Sequence, residues 1–206
     1  MHLKHIVCTT YTGEKFVCPW QFAPLMDNFL RPLVHNPRRL FKPYVRNGMT
    51  VLDVGCGAGF ASLGLAELVG EEGLVIAADL QPEMLDMVKK RAARAGLNSR
   101  IRVHRCESDR IGLKAQLDFA LAFFMLHEVP DSRAFLEELH RLLKTGGMLL
   151  LAEPKIHVGR RIFEQVVREA QSVGFVTVKR PAVGLGWSVL LEKGGVSPVP
   201  QGTSDR

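Results

Sequence analysis

Long apolar runs are missing from this 206-residue chain: the longest, Phe119 to Leu126, is far short of the roughly 20 residues that a membrane helix needs. No membrane partner is therefore expected. Cysteine is sparse, with four residues at positions 8, 18, 56 and 106 and no C-x-x-C pair, which argues against a zinc ribbon or a disulfide framework. Nor does a charged-then-apolar leader open the chain, since Met1 to Thr10 is mixed and polar, so free thiols in a cytoplasmic setting are expected. Acid is in deficit, with 21 Asp and Glu against 27 Lys and Arg, a net charge of +6 and a pI near 9.4. An acidic small molecule or nucleic acid is a conceivable partner. Against this, the cations stand in short separate groups such as Arg38-Arg39, Lys89-Lys90-Arg91 and Arg160-Arg161, the pattern of solvated helix faces, and nucleic acid is not the expected partner. What is plentiful is apolar content, 47%, enough for the core of one domain.

The most informative stretch is Val51-Leu52-Asp53-Val54-Gly55-Cys56-Gly57-Ala58-Gly59-Phe60. A short apolar strand broken by one acid runs into three alternating glycines, and Leu63, Leu65, Ala66, Leu68 and Val69 then take helical spacing. Strand, glycine turn and helix start together make a place where a ligand approaches bare backbone and unpaired N–H groups. The dinucleotide pattern G-x-G-x-x-G fails for want of its third glycine, and the Walker Gly-Lys-Ser/Thr is absent.

Strands and helices alternate beyond it. Leu74 to Ala78 reads as a strand ending in Asp79, Pro82 opens a helix that stops at Gly96, and Ile101 to Arg105 reads as a third strand. Leu117 to Leu126 reads as a central strand buried on both faces, followed by His127-Glu128 and a helix capped by Asp131 or Ser132. A fifth strand over Met148 to Ala152 ends at Glu153-Pro154. A helix from Ile162 to Ala170 is closed by Gly174, and strands close the pattern at Phe175 to Lys179 and near Trp187 to Glu192. Ahead of the glycine loop, Phe22, Leu25, Met26, Phe29, Leu30 and Leu33 suggest one amphipathic helix, and Asn36-Pro37 an N-cap and first helical position. From Gly194 the Gly, Ser, Pro and Gln content predicts a disordered tail.

The loop resembles motif I of the class I S-adenosylmethionine (SAM) dependent methyltransferases, with Asp53, Gly55, Gly57 and Gly59 on the acid and glycine positions. The run Asp118-Phe119-Ala120-Leu121 through His127-Glu128-Val129 resembles motif IV of the ubiquinone/menaquinone biosynthetic group, and Lys144-Thr145-Gly146-Gly147 resembles that group's Lys-Pro-Gly-Gly turn. The resemblance implies a three-layer α/β Rossmann-like fold with a mostly parallel seven-stranded sheet, helices on both faces and an antiparallel last strand. It divides the chain into a helical lid over 1–45, a SAM-binding domain over 46–193 and a flexible tail over 194–206. For the cofactor it implies Asp53, Gly55, Cys56, Gly57 and Gly59 from the loop, Asp79 and Leu80 for the ribose, Glu107 and Ser108 for the adenine, and Phe124. At Glu107-Ser108 the chain departs from the family's Asp-Ala pair, and the register Ser108-Asp109 stays open. Asp79 could instead be a helix-start acid. The lid would bring Tyr11, Cys18, Trp20 and Phe22 toward the ligand, unless these only anchor it to the core.

Methyl transfer from a sulfonium needs orientation and a dry pocket, and needs a base only where the acceptor holds its proton tightly. His127 is the first candidate base, with Glu128 and His157 next; a structural His127 and a helix-capping Glu128 are the alternatives. No dedicated metal-ligand set stands out. The expected activity is methylation of a small molecule with release of S-adenosylhomocysteine. Other readings are an RNA methyltransferase, an arsenite methyltransferase using Cys18, Cys56 and Cys106, and a SAM-binding module without catalysis.

Overall fold

The computed structural model describes residues 19–22 and 35–194. Apart from Phe22, the expected helix over 22–33 lies outside the described residues, as do the tail beyond Gly194, Tyr11 and Cys18. A short 3-10 helix, Trp20–Phe22, precedes α1 (Pro37–Phe41), where Asn36 caps the helix by accepting from the Arg39 N–H and Pro37 takes the first turn. The alternation that follows is β1 (Thr50–Val54), α2 (Phe60–Val69), β2 (Leu74–Asp79), α3 (Pro82–Arg94), β3 (Ile101–Arg105) and β4 (Leu117–Phe123). A 3-10 turn over Leu126–Glu128 leads to α4 (Ser132–Leu142), β5 (Leu143–Pro154), α5 (Arg160–Val173), β6 (Phe175–Lys179) and β7 (Gly186–Lys193).

The seven strands form one sheet in the order β3-β2-β1-β4-β5-β7-β6, with β7 antiparallel to both neighbours and the other pairs parallel. Successive side chains of each strand point to opposite faces, so the apolar runs feed two cores at once. One face carries Leu52, Ile76, Ala120, Leu149 and Val189 against Leu136, Leu139, Phe163 and Val167 of α4 and α5. The other carries Val51, Val75, Leu121 and Leu150 against Phe41 of α1 and Leu65 and Val69 of α2. This is the expected three-layer α/β architecture.

Two strand boundaries differ from the sequence reading. β4 stops at Phe123 rather than Leu126, because Phe124 takes a left-handed φ of 63 that ends the extended chain and Leu126 turns inward to the core, 2% exposed. β5 begins at Leu143 rather than Met148: Leu143 pairs with Leu117, and the ladder shifts register before Met148 joins Phe119, so the Lys144–Gly147 turn is an irregular stretch of strand.

Glu138 holds the long β3–β4 connection in place. Its buried carboxylate accepts the backbone N–H of Ile111 and of Gly112, each at 2.8 Å. Both donors lose their partner in Glu138→Ala, which is expected to cost about 2–4 kcal/mol of unfolding free energy in urea titrations. Glu138→Gln keeps one acceptor and should lose roughly half as much.

Candidate active site

The strand ends meet at one edge of the sheet, and the glycine loop sits at its centre. Gly55, Gly57 and Gly59 have φ of 67, 53 and 89, the left-handed region where a side chain is strained. Their surroundings differ. A Cβ on Gly55 would stand 2.7 Å from Met125 Cβ and one on Gly59 would stand 3.0 Å from Val88 Cγ2, but one on Gly57 would meet nothing within 4 Å. The outer two glycines thus permit packing, and the middle one leaves open space beside bare backbone. Three bonds fix the loop: Cys56 N–H to Ala78 O at 3.0 Å, Gly57 N–H to Asp79 Oδ2 at 2.9 Å, and the Arg91 guanidinium to Ala58 O at 3.1 Å.

Asp79 closes β2 with its carboxylate 8% exposed, one oxygen accepting from Gly57 and the other from the Gln81 N–H at 2.9 Å. Burial pushes this carboxyl above its ordinary range, and the backbone N–H bonds only partly oppose that. The Leu80 N–H also contributes, and a carboxylate, with about four acceptor sites, still has room for a ribose hydroxyl. Leu80 follows, half-buried. Together the open backbone at Gly57 and the spare acceptors on Asp79 fit a nucleoside-bearing cofactor.

Asp53 lies deeper, 2% exposed, and accepts from the Ser62 hydroxyl at 2.5 Å, which braces β1 against α2. Glu107 stands exposed after β3 with both carboxylate oxygens 2.7 Å from the Arg110 guanidinium, and Ser108 beside it is exposed. Phe124 donates its N–H to Ala152 O at 2.8 Å and stacks on Phe123 at 4.4 Å. A Cβ on Gly186 would come within 2.9 Å of the Phe124 ring, so this glycine lets β7 pass close to that ring.

His127 occupies the 3-10 turn after β4, with its Nδ1 2.5 Å from Glu153 Oε2. Glu153, on β5 and 2% exposed, also accepts the Leu126 N–H at 2.8 Å. His157 is exposed and lays its ring parallel to His127, centroids 5.6 Å apart at 11°. The structure therefore brings His127, His157 and Glu153 together. Glu128 shares the turn, half-buried, and the next helix is capped by Asp131, which accepts from the Ala134 N–H at 3.0 Å. Glu153, Met125 and Gln81 were not among the sequence candidates. A signal for Glu153 existed: like Asp53 and Asp79 it is a lone acid at the carboxyl end of an apolar strand.

The described part of the N-terminal segment reaches this edge. Trp20 donates its N–H to Gln81 Oε1 at 2.9 Å and packs against Ala58 and Met84. His35 Nε2 lies 2.6 Å from Gly184 O, and its ring edges onto Phe123 and Phe124. Cys56 and Cys106 are free; burial pushes the Cys56 thiol well up and Cys106 up to about 12, so both stay neutral at pH 7. Among the described residues no group of three His, Cys, Asp or Glu side chains is arranged to hold a metal.

Comparison with known proteins matches residues 46–183 to a family model described as a methyltransferase domain. The chain is 36% identical over 109 residues to the demethylmenaquinone methyltransferase of Oceanobacillus iheyensis, covering 53% of this chain and 46% of that protein. It is 32% identical over 148 residues to the ubiquinone/menaquinone biosynthesis C-methyltransferase UbiE of Xanthomonas oryzae pv. oryzae, covering 68% and 57%. The chain thus spans about half the length of these curated relatives. A SAM dependent methyltransferase from Aquifex aeolicus superposes with a TM-score of 0.78 at 28% identity, over 86% of this chain and all of that one.

The glycines offer a test that separates folding from binding. In Gly57→Ala the added methyl enters open space, so the expected loss of stability is only the left-handed penalty of about 1–2 kcal/mol, while calorimetric affinity for S-adenosylhomocysteine falls at least tenfold. Gly55→Ala drives a methyl into Met125 and should show the larger drop in melting temperature.

Proposed function

The chain belongs to the SAM-dependent methyltransferases of the methyltransferase-domain family, and on that premise we propose that it methylates a small molecule whose attacking atom is activated by loss of a nearby proton. The observation that carries this reading is the buried Glu153 carboxylate on His127 Nδ1, at the edge that holds the glycine loop. A reduced quinone-type ring or a similar phenol fits it, in keeping with the names of the relatives from Oceanobacillus and Xanthomonas.

When bound, SAM supplies an electrophilic methyl group and leaves as S-adenosylhomocysteine. The protein's own residues do the rest. Gly57 leaves its backbone open to the cofactor, and the Asp79 carboxylate accepts hydroxyl hydrogens there. Glu153 accepts the Nδ1 proton of His127, which leaves the Nε2 lone pair to take the proton of an acceptor hydroxyl. His157 lies flat against the same imidazole and limits its rotation. Phe123, Phe124 and Trp20 supply apolar surface around the edge and help exclude water. The contact of Trp20 with Ala58 and Met84 supports a role for residues 1–45 as a cover over the cofactor side. Glu107 and Ser108 stand on the loop after β3, the side from which the adenine would be held. The neutral thiols of buried Cys56 and half-buried Cys106 weigh against a thiolate-held acceptor such as arsenite.

Calorimetric titration with SAM and S-adenosylhomocysteine, followed by an acceptor panel of reduced quinones, catechols and thiols read by mass spectrometry, tests the proposal. Absence of binding to either compound by the folded protein overturns it. With a turned-over acceptor, His127→Ala should lower kcat by about 10²–10⁴ with cofactor affinity kept. Glu153→Gln should lower kcat and shift the acidic limb of the pH profile, because an amide no longer fixes the imidazole tautomer; an unmoved profile would refute the positioning role.

Asp79 gives cofactor binding a pH dependence. Its carboxyl is raised above 3.8 in the folded protein, and only the ionised form accepts both backbone N–H groups and ribose hydroxyls. Affinity for S-adenosylhomocysteine should therefore hold at neutral pH and decline as pH falls through that raised value, before an ordinary aspartate would protonate. Calorimetry between about pH 7 and pH 4 on a protein shown to stay folded checks this, and Asp79→Asn should abolish the decline while lowering the neutral-pH affinity roughly tenfold or more.

A further inference from the structure

One corner of the carboxyl edge carries side chains that methyl transfer does not use. Ile156, on the β5–α5 connection, is 84% exposed, and Leu185, at the entry to β7, is 70% exposed. The two loops are tied together by the Lys155 N–H donating to Leu185 O at 3.0 Å, and Leu185 is held out at a left-handed φ of 59. Both side chains are thus presented on constrained backbone, on two loops that meet, and both stand exposed among the described residues.

Cations outnumber acids around these tips. Lys155 Nζ lies 4.7 Å from the centre of the Trp187 ring and the Arg160 guanidinium 6.0 Å from it. Arg161 is exposed beside Arg160 in the first turn of α5. A cleft of about 590 Å³ opens here, and the acid that lines it, Glu164, is already engaged by Arg180 at 2.8 and 3.0 Å. Trp187 donates its Nε1–H to Val158 O at 3.0 Å, which fixes the ring as the floor under the two cations. Two protruding aliphatic tips inside a collar of Lys, Arg and a Trp match the boundary of a bilayer with anionic headgroups: the tips enter the acyl boundary and the cations sit at the phosphates. Single-stranded nucleic acid would match the charge but would want exposed aromatic faces for its bases, and Trp187 is half-buried beneath Lys155 and Arg160.

We propose that Ile156 and Leu185, with Lys155, Arg160 and Arg161, form a docking surface that seats the enzyme on an anionic lipid bilayer. The contact is peripheral and distinct from a membrane span, for which no helix among the described residues is long and apolar enough. His157 directly follows Ile156 and stacks on His127, so docking turns the reacting edge toward the lipid. That last consequence rests on the small-acceptor reading; the docking itself does not.

Sedimentation of the full chain with vesicles tests it, using phosphatidylcholine alone and phosphatidylcholine with about one third phosphatidylglycerol. The expected result is binding to the anionic vesicles at least tenfold tighter than to the neutral ones, weakening with added salt. Ile156→Ser with Leu185→Ser, and separately Lys155→Gln with Arg160→Gln, should each reduce it at least tenfold, with melting temperature and S-adenosylhomocysteine affinity unchanged. Equal binding to both vesicle types, no binding, or binding that the apolar pair leaves untouched overturns the proposal. So does retention of an RNA oligonucleotide in place of vesicles, or a self-association that the apolar pair abolishes while vesicle binding persists. Cofactor titration is a separate readout, so failure of the docking surface and failure of the methyltransferase reading are told apart.

Discussion

The bond between Asp79 and the Gly57 N–H is the interaction on which the rest of the site depends. It joins the end of β2 to the turn that follows β1, and it asks a nearly buried carboxylate to stay where burial alone disfavours its charge. The backbone donors from Gly57 and Gln81 offset part of that cost. Without an acid at this place the glycine loop would keep only the Cys56–Ala78 backbone bond to β2, and the left-handed turn at Gly57 would have less to hold it open.

The same device recurs across the edge. Asp53 ties β1 to α2 through Ser62, and Glu153 ties β5 to the turn after β4 through Leu126 and His127. Each is a carboxylate 2% exposed that spends its lone pairs on a neighbouring element, so the acids set the spacing of loops that carry no regular hydrogen bonding of their own. Where backbone is strained, packing compensates. Phe124 sits at φ 63, yet its N–H is bonded to Ala152 O and its ring stacks on Phe123 and lies against Gly186. The turn that places His127 beside Glu153 follows directly from that bend.

Much of this was legible in the residues. Gly55, Gly57 and Gly59 after an apolar strand announced a backbone turn open to a ligand, and Asp79 at the end of the next strand announced an acceptor beside it. The pattern of alternate strands and helices matched the observed order, with the antiparallel β7 foreseen from the family resemblance alone. Less visible was the role of each acid. Composition cannot show which partners a carboxylate takes within the fold: Asp53 accepts from Ser62, and Glu107 pairs with Arg110. Strand ends were missed for a related reason: Leu117 to Leu126 is uniformly apolar, so nothing in its period marks the φ of Phe124 that stops the strand.

The sequence by itself determined the layers, the position of the glycine loop and the acid that follows it, because those rest on local periodicity and on glycine's freedom at positive φ. Only the tertiary structure decided which charges meet. Glu153 and His127 are 26 residues apart and face one another because β5 lies beside β4 in parallel register. Ile156 and Leu185 stand together because β7 returns antiparallel along β5. Such pairings depend on strand order and register, which are set by the whole packed sheet and written in no single stretch of the chain.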